Sequence, residues 1–216
     1  MTLQNQKLLG PCALALALAG LVGWPGLAGP TAAAAPAPAK RALIVAIATY
    51  EPSTGWSPLG SGNDVPLIRD ILSTHGFTDI QELRDAAATR QGILEAIRTR
   101  LTEPSAPGDV VVFHYSGHGQ QLTDDADEEV DGYDETLVPW NAPMAPPPGY
   151  DGSKHLRDDE WGAQMDALRR KVGPSGHVLA FVDSCHSGSI PRGTLDQGVA
   201  RVRGGAPPIG PPRPRT

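Results

Sequence analysis

A chain of 216 residues has room for one domain of ordinary size. Its 18 basic and 24 acidic residues give a net charge of −6, which excludes the basic footprint of a nucleic-acid binder. The 25 glycines and 22 prolines gather toward the two ends, so the folded part is shorter than the chain.

Residues 1–39 read as an export signal and small-residue linker. Lys7 lies in a short polar start, an apolar run covers 13–22, and Trp24-Pro25-Gly26 breaks it. The run is short for a bilayer span, so an exported chain, periplasmic or secreted, is expected. An uncleaved membrane anchor is the rival reading. Cys12 precedes the run and is badly placed for lipid attachment. Once this segment is set aside, Cys185 is the only cysteine. It cannot form an intrachain disulfide, and so reads as an intermolecular or reactive thiol.

The continuous apolar run 42–48 predicts a strand buried on both faces. Asn63 then reads as a helix cap before a stripe of Val65, Ile68 and Leu72 that ends near His75-Gly76. Pro66 is expected in the first turn. A short strand is expected over 79–83. Thr89 caps a second helix with Ile93, Leu94, Ile97 and Leu101 facing inward. Residues 110–115 form the next buried strand and run into Ser116-Gly117-His118-Gly119. A long acidic loop is expected over 120–135, a short strand over 136–140 and a helix over 158–171. The last buried strand, 178–182, ends in Asp183-Ser184-Cys185-His186-Ser187-Gly188. The catalytic domain is thus expected over 40–190. Residues 191–216 are rich in Gly, Pro and Arg and read as disordered. Strands alternating with helices imply an α/β fold, a parallel sheet with helices on both faces. Ligands of such sheets bind at the carboxyl ends of the strands, where both polar motifs lie.

Residues two apart share a face of a strand. Ser116 with His118, and Asp183 with Cys185, therefore leave their strands in the same direction. On neighbouring strands, imidazole and thiol meet at one rim, as a thiol nucleophile with a general base requires. The amides of Gly119 and Cys185 are candidates for an oxyanion hole. Each residue alone has a blander reading, a small buried cysteine or a hydrogen-bonded histidine. The spacing of His114 and His118 would suit a metal on a helix, but the segment reads as strand. His186 is a weaker candidate for the base, because it points to the other face.

Asp183 beside Cys185 disfavours the thiolate, and Asp64 stands at the same rim. Acids around a nucleophile make sense if the substrate brings a guanidinium or ammonium. Helix-capping and turn roles for the two acids are the structural alternative. The loop 124–135 and the pair Asp158/Asp159 carry enough carboxylates for a hard cation, although such runs are also ordinary solvated surface.

Residues 114–119 (His-Tyr-Ser-Gly-His-Gly) and 183–188 (Asp-Ser-Cys-His-Ser-Gly) resemble the His and Cys boxes of metacaspases, in the caspase-like group of cysteine peptidases. Residues 131–140 and 156–160 are similar to the segments between and around those boxes, and the match runs from about 41 to 190. The resemblance implies a caspase-like three-layer sandwich whose C-terminal part is missing here. It implies His118 as base and Cys185 as nucleophile. It also implies Asp64, Ser116 and Asp183 as the pocket for a substrate Arg or Lys. No cofactor is required for that chemistry. Calcium is the implied cation, on Asp158, Asp159 and either Asp131 or Asp134. Arg192 stands where family members often carry another calcium-ligating Asp. The 31 residues after Cys185 lack strand-like runs, where the family fold adds strands and a helix. An endopeptidase acting on protein or peptide substrates is therefore expected. The alternatives are an incomplete binding or regulatory module, completed by a complementary chain, and a calcium-binding surface protein.

Overall fold

The computed structural model describes residues 37–126, 129–184 and 206–214. Most of the export segment, Cys185, and residues 191–205 and 215–216 of the expected tail lie outside them. The first strand, β1 (Lys40–Ala46), carries the apolar run. Helix α1 (Ser61–Thr74) buries Val65 and Leu72, with Ile68 packed beside them. Burying an aliphatic side chain of this kind contributes roughly 1.5–3 kcal/mol. The helix starts earlier than the sequence suggested, with Gly60 rather than Asn63 at its N-cap. Pro66 consequently falls in the second turn and withholds the amide that the Gly62 carbonyl would accept.

Strand β2 (Asp79–Arg84) and helix α2 (Arg90–Ala96) follow. Thr89 caps α2 as expected, its hydroxyl accepting the Gly92 amide at 3.0 Å. The helix continues as a π-helical turn over Ile97–Thr102, burying Ile97 and Leu101. Then come β3 (Val110–Ser116), β4 (Gly119–Thr123), β5 (Tyr133–Leu137), β6 (Leu156–Arg157), α3 (Asp158–Val172) and β7 (His177–Asp183).

Four strands make a fully parallel sheet in the order β2-β1-β3-β7. On one face Ala42, Ile44, Ala46 and Val112 pack with α1. On the other, Leu43, Val45, Phe113 and Tyr115 pack with α2, its π-turn and α3. Both faces of β1 and β3 are covered, and their sequences are therefore continuous apolar runs rather than alternating ones. The three-layer α/β expectation holds.

A second sheet, antiparallel in the order β4-β5-β6, occupies much of the stretch expected as an acidic loop. Its inward residues include Gln120, Asp134 and Thr136, all fully buried, so no apolar alternation marked the strands. The tail also differs from expectation over 206–214. This stretch runs along β4, with Ile209 bridged in parallel to Leu122. Its low apolar content was no guide, because the contact is made mostly by backbone hydrogen bonds.

His155 locks the second sheet. The Gln120 amide nitrogen donates to the carbonyls of Met144, at 3.0 Å, and Pro207, at 2.8 Å. Its oxygen therefore faces His155 Nε2, 3.2 Å away, and that nitrogen carries the proton. Nδ1 then accepts from the Tyr150 hydroxyl at 2.9 Å. Burial, with help from the Arg157 charge, pushes the His155 pKa down to about 4. The unfolded value lies near 6.5, so the contribution is intact above about pH 6.5 and is lost as pH falls toward 4. Replacing His155→Gln should flatten the loss of unfolding free energy across that window, read by urea denaturation at stepped pH. An unchanged slope would assign the acid sensitivity to other groups.

Candidate active site

The rim is built by register. Strands β3 and β7 are parallel neighbours, and Ser116 stands opposite Asp183 at their carboxyl ends. The Gly117 amide donates to the Asp183 carbonyl at 3.2 Å, which continues the pairing one step beyond β3. His118 follows directly. Cys185, two residues past Asp183, lies outside the described residues.

The backbone of His118 is held from three sides. Its amide donates to the Tyr50 hydroxyl oxygen at 2.7 Å. Its carbonyl accepts the Val138 amide at 3.0 Å and lies 2.9 Å from the Tyr115 hydroxyl. The ring stacks on Trp56, with centroids 4.5 Å apart, and tilts against Tyr50 at 5.1 Å. Its Nε2 meets the Ser57 carbonyl oxygen at 3.0 Å. A carbonyl oxygen only accepts, so Nε2 carries the proton and Nδ1 is the basic nitrogen.

The loop that supplies Tyr50, Trp56 and Ser57 is fixed in turn. The Asp85 carboxylate accepts the amides of Ala48 and Thr49, each at 2.8 Å. Asp85 has φ 41°, the one positive φ of a non-glycine among the described residues, and Asp tolerates that region better than most. Trp56 Nε1 donates to the Ala142 carbonyl at 2.9 Å. None of Tyr50, Trp56, Ser57 or Asp85 was singled out in the sequence. The loop's Gly, Pro and Ser content marks a loop but does not say where it returns.

Two acids and a serine gather on the α1 face. The Ser116 hydroxyl donates to the Asp64 carboxylate at 3.2 Å, which ties α1 to the end of β3. Asp183 is the in-register neighbour of Ser116. Asp64, Ser116 and Asp183 are thus brought together, as the sequence reading required. His114 joins them unforeseen. Burial lowers its pKa, while the charges of Asp183 and Asp64 pull it back up. Gly119 is buried as the first residue of β4, opposite Leu137.

Residues 40–192 match the family described as "Metacaspase, peptidase C14 domain". The chain belongs to the metacaspase family. It is 35% identical over 164 residues to Metacaspase-1 of Lodderomyces elongisporus, covering 70% of this chain and 33% of that protein. It is 40% identical over 167 residues to Metacaspase-1 of Schizosaccharomyces pombe, covering 73% and 35% respectively. This metacaspase chain therefore spans about a third of the length of these curated relatives. Among solved structures it is similar to protein GSU0716 from Geobacter sulfurreducens. The TM-score is 0.55 at 30% identity, over 71% of this chain and 53% of that one.

A separate group of carboxylates lies between β5 and α3. Asp134, Asp158 and Asp159 offer ligand atoms within 4.8 Å of one another, as do Glu129, Glu135 and Asp158. Asp124, Asp125 and Asp134 form a third such group. Asp131 stands outside all three. It is exposed and accepts the Tyr133 amide at 3.2 Å, closing a turn. Burial, then the neighbouring charges of Asp159, Glu135, Asp134 and Glu129, raises the Asp158 pKa to about 7. Burial likewise raises Asp134 to about 6, against the opposing pull of the Arg157 guanidinium that pairs with it. Asp158 Oδ1, Asp134 Oδ1 and Glu135 Oε2 are buried without a hydrogen-bond partner. Carboxylate oxygens of this kind suit a hard divalent cation. Glu129 and Glu135 were legible only as members of an acidic run.

Gly117 is the tightest point of the site. A Cβ there would lie 2.5 Å from Tyr115 Oη and 3.1 Å from Tyr50 Oη, the two hydroxyls that hold His118. Gly117→Ala should therefore destabilise the fold by about 1–3 kcal/mol and displace both tyrosines. Urea denaturation, with the His118 ring signals followed by NMR, checks this. A silent substitution would show that the hydroxyls do not set the histidine.

Proposed function

We propose that this metacaspase chain is a cysteine endopeptidase that cuts after Arg or Lys, with Cys185 as nucleophile and His118 as general base. One observation carries the reading: the pairing of Ser116 with Asp183, which aims the two strand exits at one rim. In this reading the Cys185 thiol passes its proton to His118 Nδ1 and the thiolate attacks the scissile carbonyl carbon. The resulting oxyanion is met by the amides of Gly119 and Cys185. The imidazolium then protonates the leaving amine, and water hydrolyses the thioester. The Ser57 carbonyl and the Trp56 stack orient the imidazole throughout. The substrate cation pairs with Asp64 and Asp183, with Ser116 fixing the Asp64 carboxylate.

Calcium is proposed at Asp134, Asp158 and Asp159, with Glu129 and Glu135 as additional oxygen donors. Its chemistry there is charge neutralisation of buried carboxylates. Export rests on residues 1–39, of which 1–36 lie outside the described residues.

A second reading, a binding or regulatory module, is favoured by one feature. On β7, the last strand of the sheet among the described residues, Leu179 and Phe181 share a face and are 40% and 46% exposed. Apolar residues at such an edge suit a complementary chain that extends the sheet. Both readings can hold together, with peptidase activity requiring that chain.

Peptide assays separate these possibilities. Cys185→Ala and His118→Ala should each abolish cleavage after Arg, and the double variant should lose nothing further, because the pair acts as one unit. In the same assay Asp64→Asn should lose about 2–4 kcal/mol in the specificity constant for Arg substrates and far less for neutral ones. Retained activity in Cys185→Ala, or cleavage after Asp, would overturn the assignment. Titration calorimetry should detect calcium in the millimolar range and lose the signal in Asp158→Asn. Absence of heat in the parent chain would remove the cation and leave the peptidase reading intact.

A further inference from the structure

The outer edge of β4 is not bare. Residues 206–214, Ala-Pro-Pro-Ile-Gly-Pro-Pro-Arg-Pro, lie along it, with a bend at Gly210, where φ is 82°. The Ile209 amide donates to the Gln121 carbonyl at 2.9 Å, and the Thr123 amide donates to the Ile209 carbonyl at 3.0 Å. The Thr123 hydroxyl reaches the Pro211 carbonyl at 2.7 Å. Further along, the Arg213 amide donates to the Gly132 carbonyl at 3.0 Å.

Several features make this edge a built recognition surface. Gln120 is fully buried, and the His155–Tyr150 chain fixes which way its amide points. One amide proton is thereby aimed at the Pro207 carbonyl, 2.8 Å away. A donor held from behind by a buried network is specific for an acceptor at that spot. Gly132 is the second feature. A Cβ there would come within 2.6 Å of the Arg213 backbone nitrogen and oxygen, so its lack of a side chain admits the passing strand. The third is chemical fit. Four prolines flank Ile209 on its two sides and have no amide protons to leave unpaired at the outer edge. Prolines also pre-set an extended backbone, which lowers the entropy lost on docking.

The occupant itself is lightly held. Pro207, Pro208 and 210–212 remain exposed, with only Ala206, Ile209 and Arg213 half-buried within 206–213. Between it and the Pro-rich loop 144–151 runs a groove of about 610 Å³, lined in part by Leu122, Met144, Tyr150 and Arg157. The contact is thus backbone pairing on a sheet edge beside an open groove, the arrangement by which sheets capture extended peptides.

We propose that the β4 edge is a docking groove for an extended proline-rich peptide bearing arginine, and that residues 206–214 occupy it as a releasable intramolecular ligand. The Gly132 carbonyl accepts both the Arg213 and the Asp124 amides, each at 3.0 Å, so the docked stretch adds one hydrogen bond where Asp124 and Gly132 already pair. The proposal uses neither His118 nor Cys185, so it stands or falls apart from the peptidase reading.

The test uses the full chain carrying Ile209→Asp, which burdens the edge with a charge at a half-exposed position. Pro207→Gly with Pro211→Gly gives a second released form without new charge. The probe is a fluorescent peptide of residues 206–216. It should bind both released forms saturably, and the parent chain at least tenfold more weakly, because the tethered copy competes. Hydrogen exchange at the Thr123 amide should speed up on release and slow again when the probe is added. Thr123→Val in a released form should weaken the probe by about two- to tenfold, the share of one hydrogen bond. No saturable binding to either released form, or equal binding to parent and released chains, would overturn the proposal. Thr123 exchange unchanged by release would overturn it as well.

Discussion

The parallel pairing of β3 with β7 is the constraint on which the site depends. Every residue from Val110 to Ser116 has a partner on β7, and the pairing ends at Ser116 opposite Asp183. A slip of one residue would turn Asp183 away from the α1 face and interchange the buried and exposed faces of β7. Register is pinned by burial: Val178, Ala180 and Val182 pack toward the larger core, whereas Leu179 and Phe181 do not. Chemistry at the rim is therefore set by hydrophobic packing several residues upstream. The function proposed for His118 follows from where that packing stops.

Acid is concentrated in two places for different physical reasons. At the rim, Asp64 and Asp183 flank Ser116, which is the polar link between strand and helix. Between β5 and α3, the carboxylates are buried against one another with the Arg157 guanidinium on Asp134 as a cation close by. Arg157 also pairs with Asp125 at 3.1 Å, so one cation is shared between two acids. Burial first, and then the crowd of neighbouring carboxylates, raises the pKa of Asp158. Between β5 and α3, Asp134 Oδ1, Asp158 Oδ1 and Glu135 Oε2 are buried without a hydrogen-bond partner, a state that costs free energy unless something completes it.

How much of this was legible follows the same physics. Strands β1, β3 and β7 and helices α1 and α3 announced themselves, because apolar runs and stripes report directly on the water they exclude. The nearness of Ser116 and Asp183 was legible through strand periodicity and the polarity of strand ends, and that of Asp64 through its place where the first loop enters α1. The second sheet was not, because Gln120, Asp134 and Thr136 are buried polar residues whose partners are polar: Thr136 donates to the Gln120 carbonyl, Gln120 meets His155, and Asp134 pairs with Arg157. The aromatic clamp on His118 was equally hidden. Tyr50 and Trp56 lie more than sixty positions before it, and no period connects a loop to the place where it returns.

The two sheets are coupled through a short piece of backbone. Gly117 pairs with β7, His118 is held by tyrosines from the main core, and Gly119 opens β4. Three consecutive residues thus belong to three different environments, and the middle one carries the proposed base. Any event that shifts β4 acts on His118 through a single peptide unit, with the Val138 amide and Tyr115 hydroxyl resisting on its carbonyl. The fully buried Gln120 sits only two residues further along and is tied to His155 and to the Pro207 carbonyl. The restraints on the His118 backbone and the buried tie of Gln120 to the outer edge are thus only two residues apart along the chain.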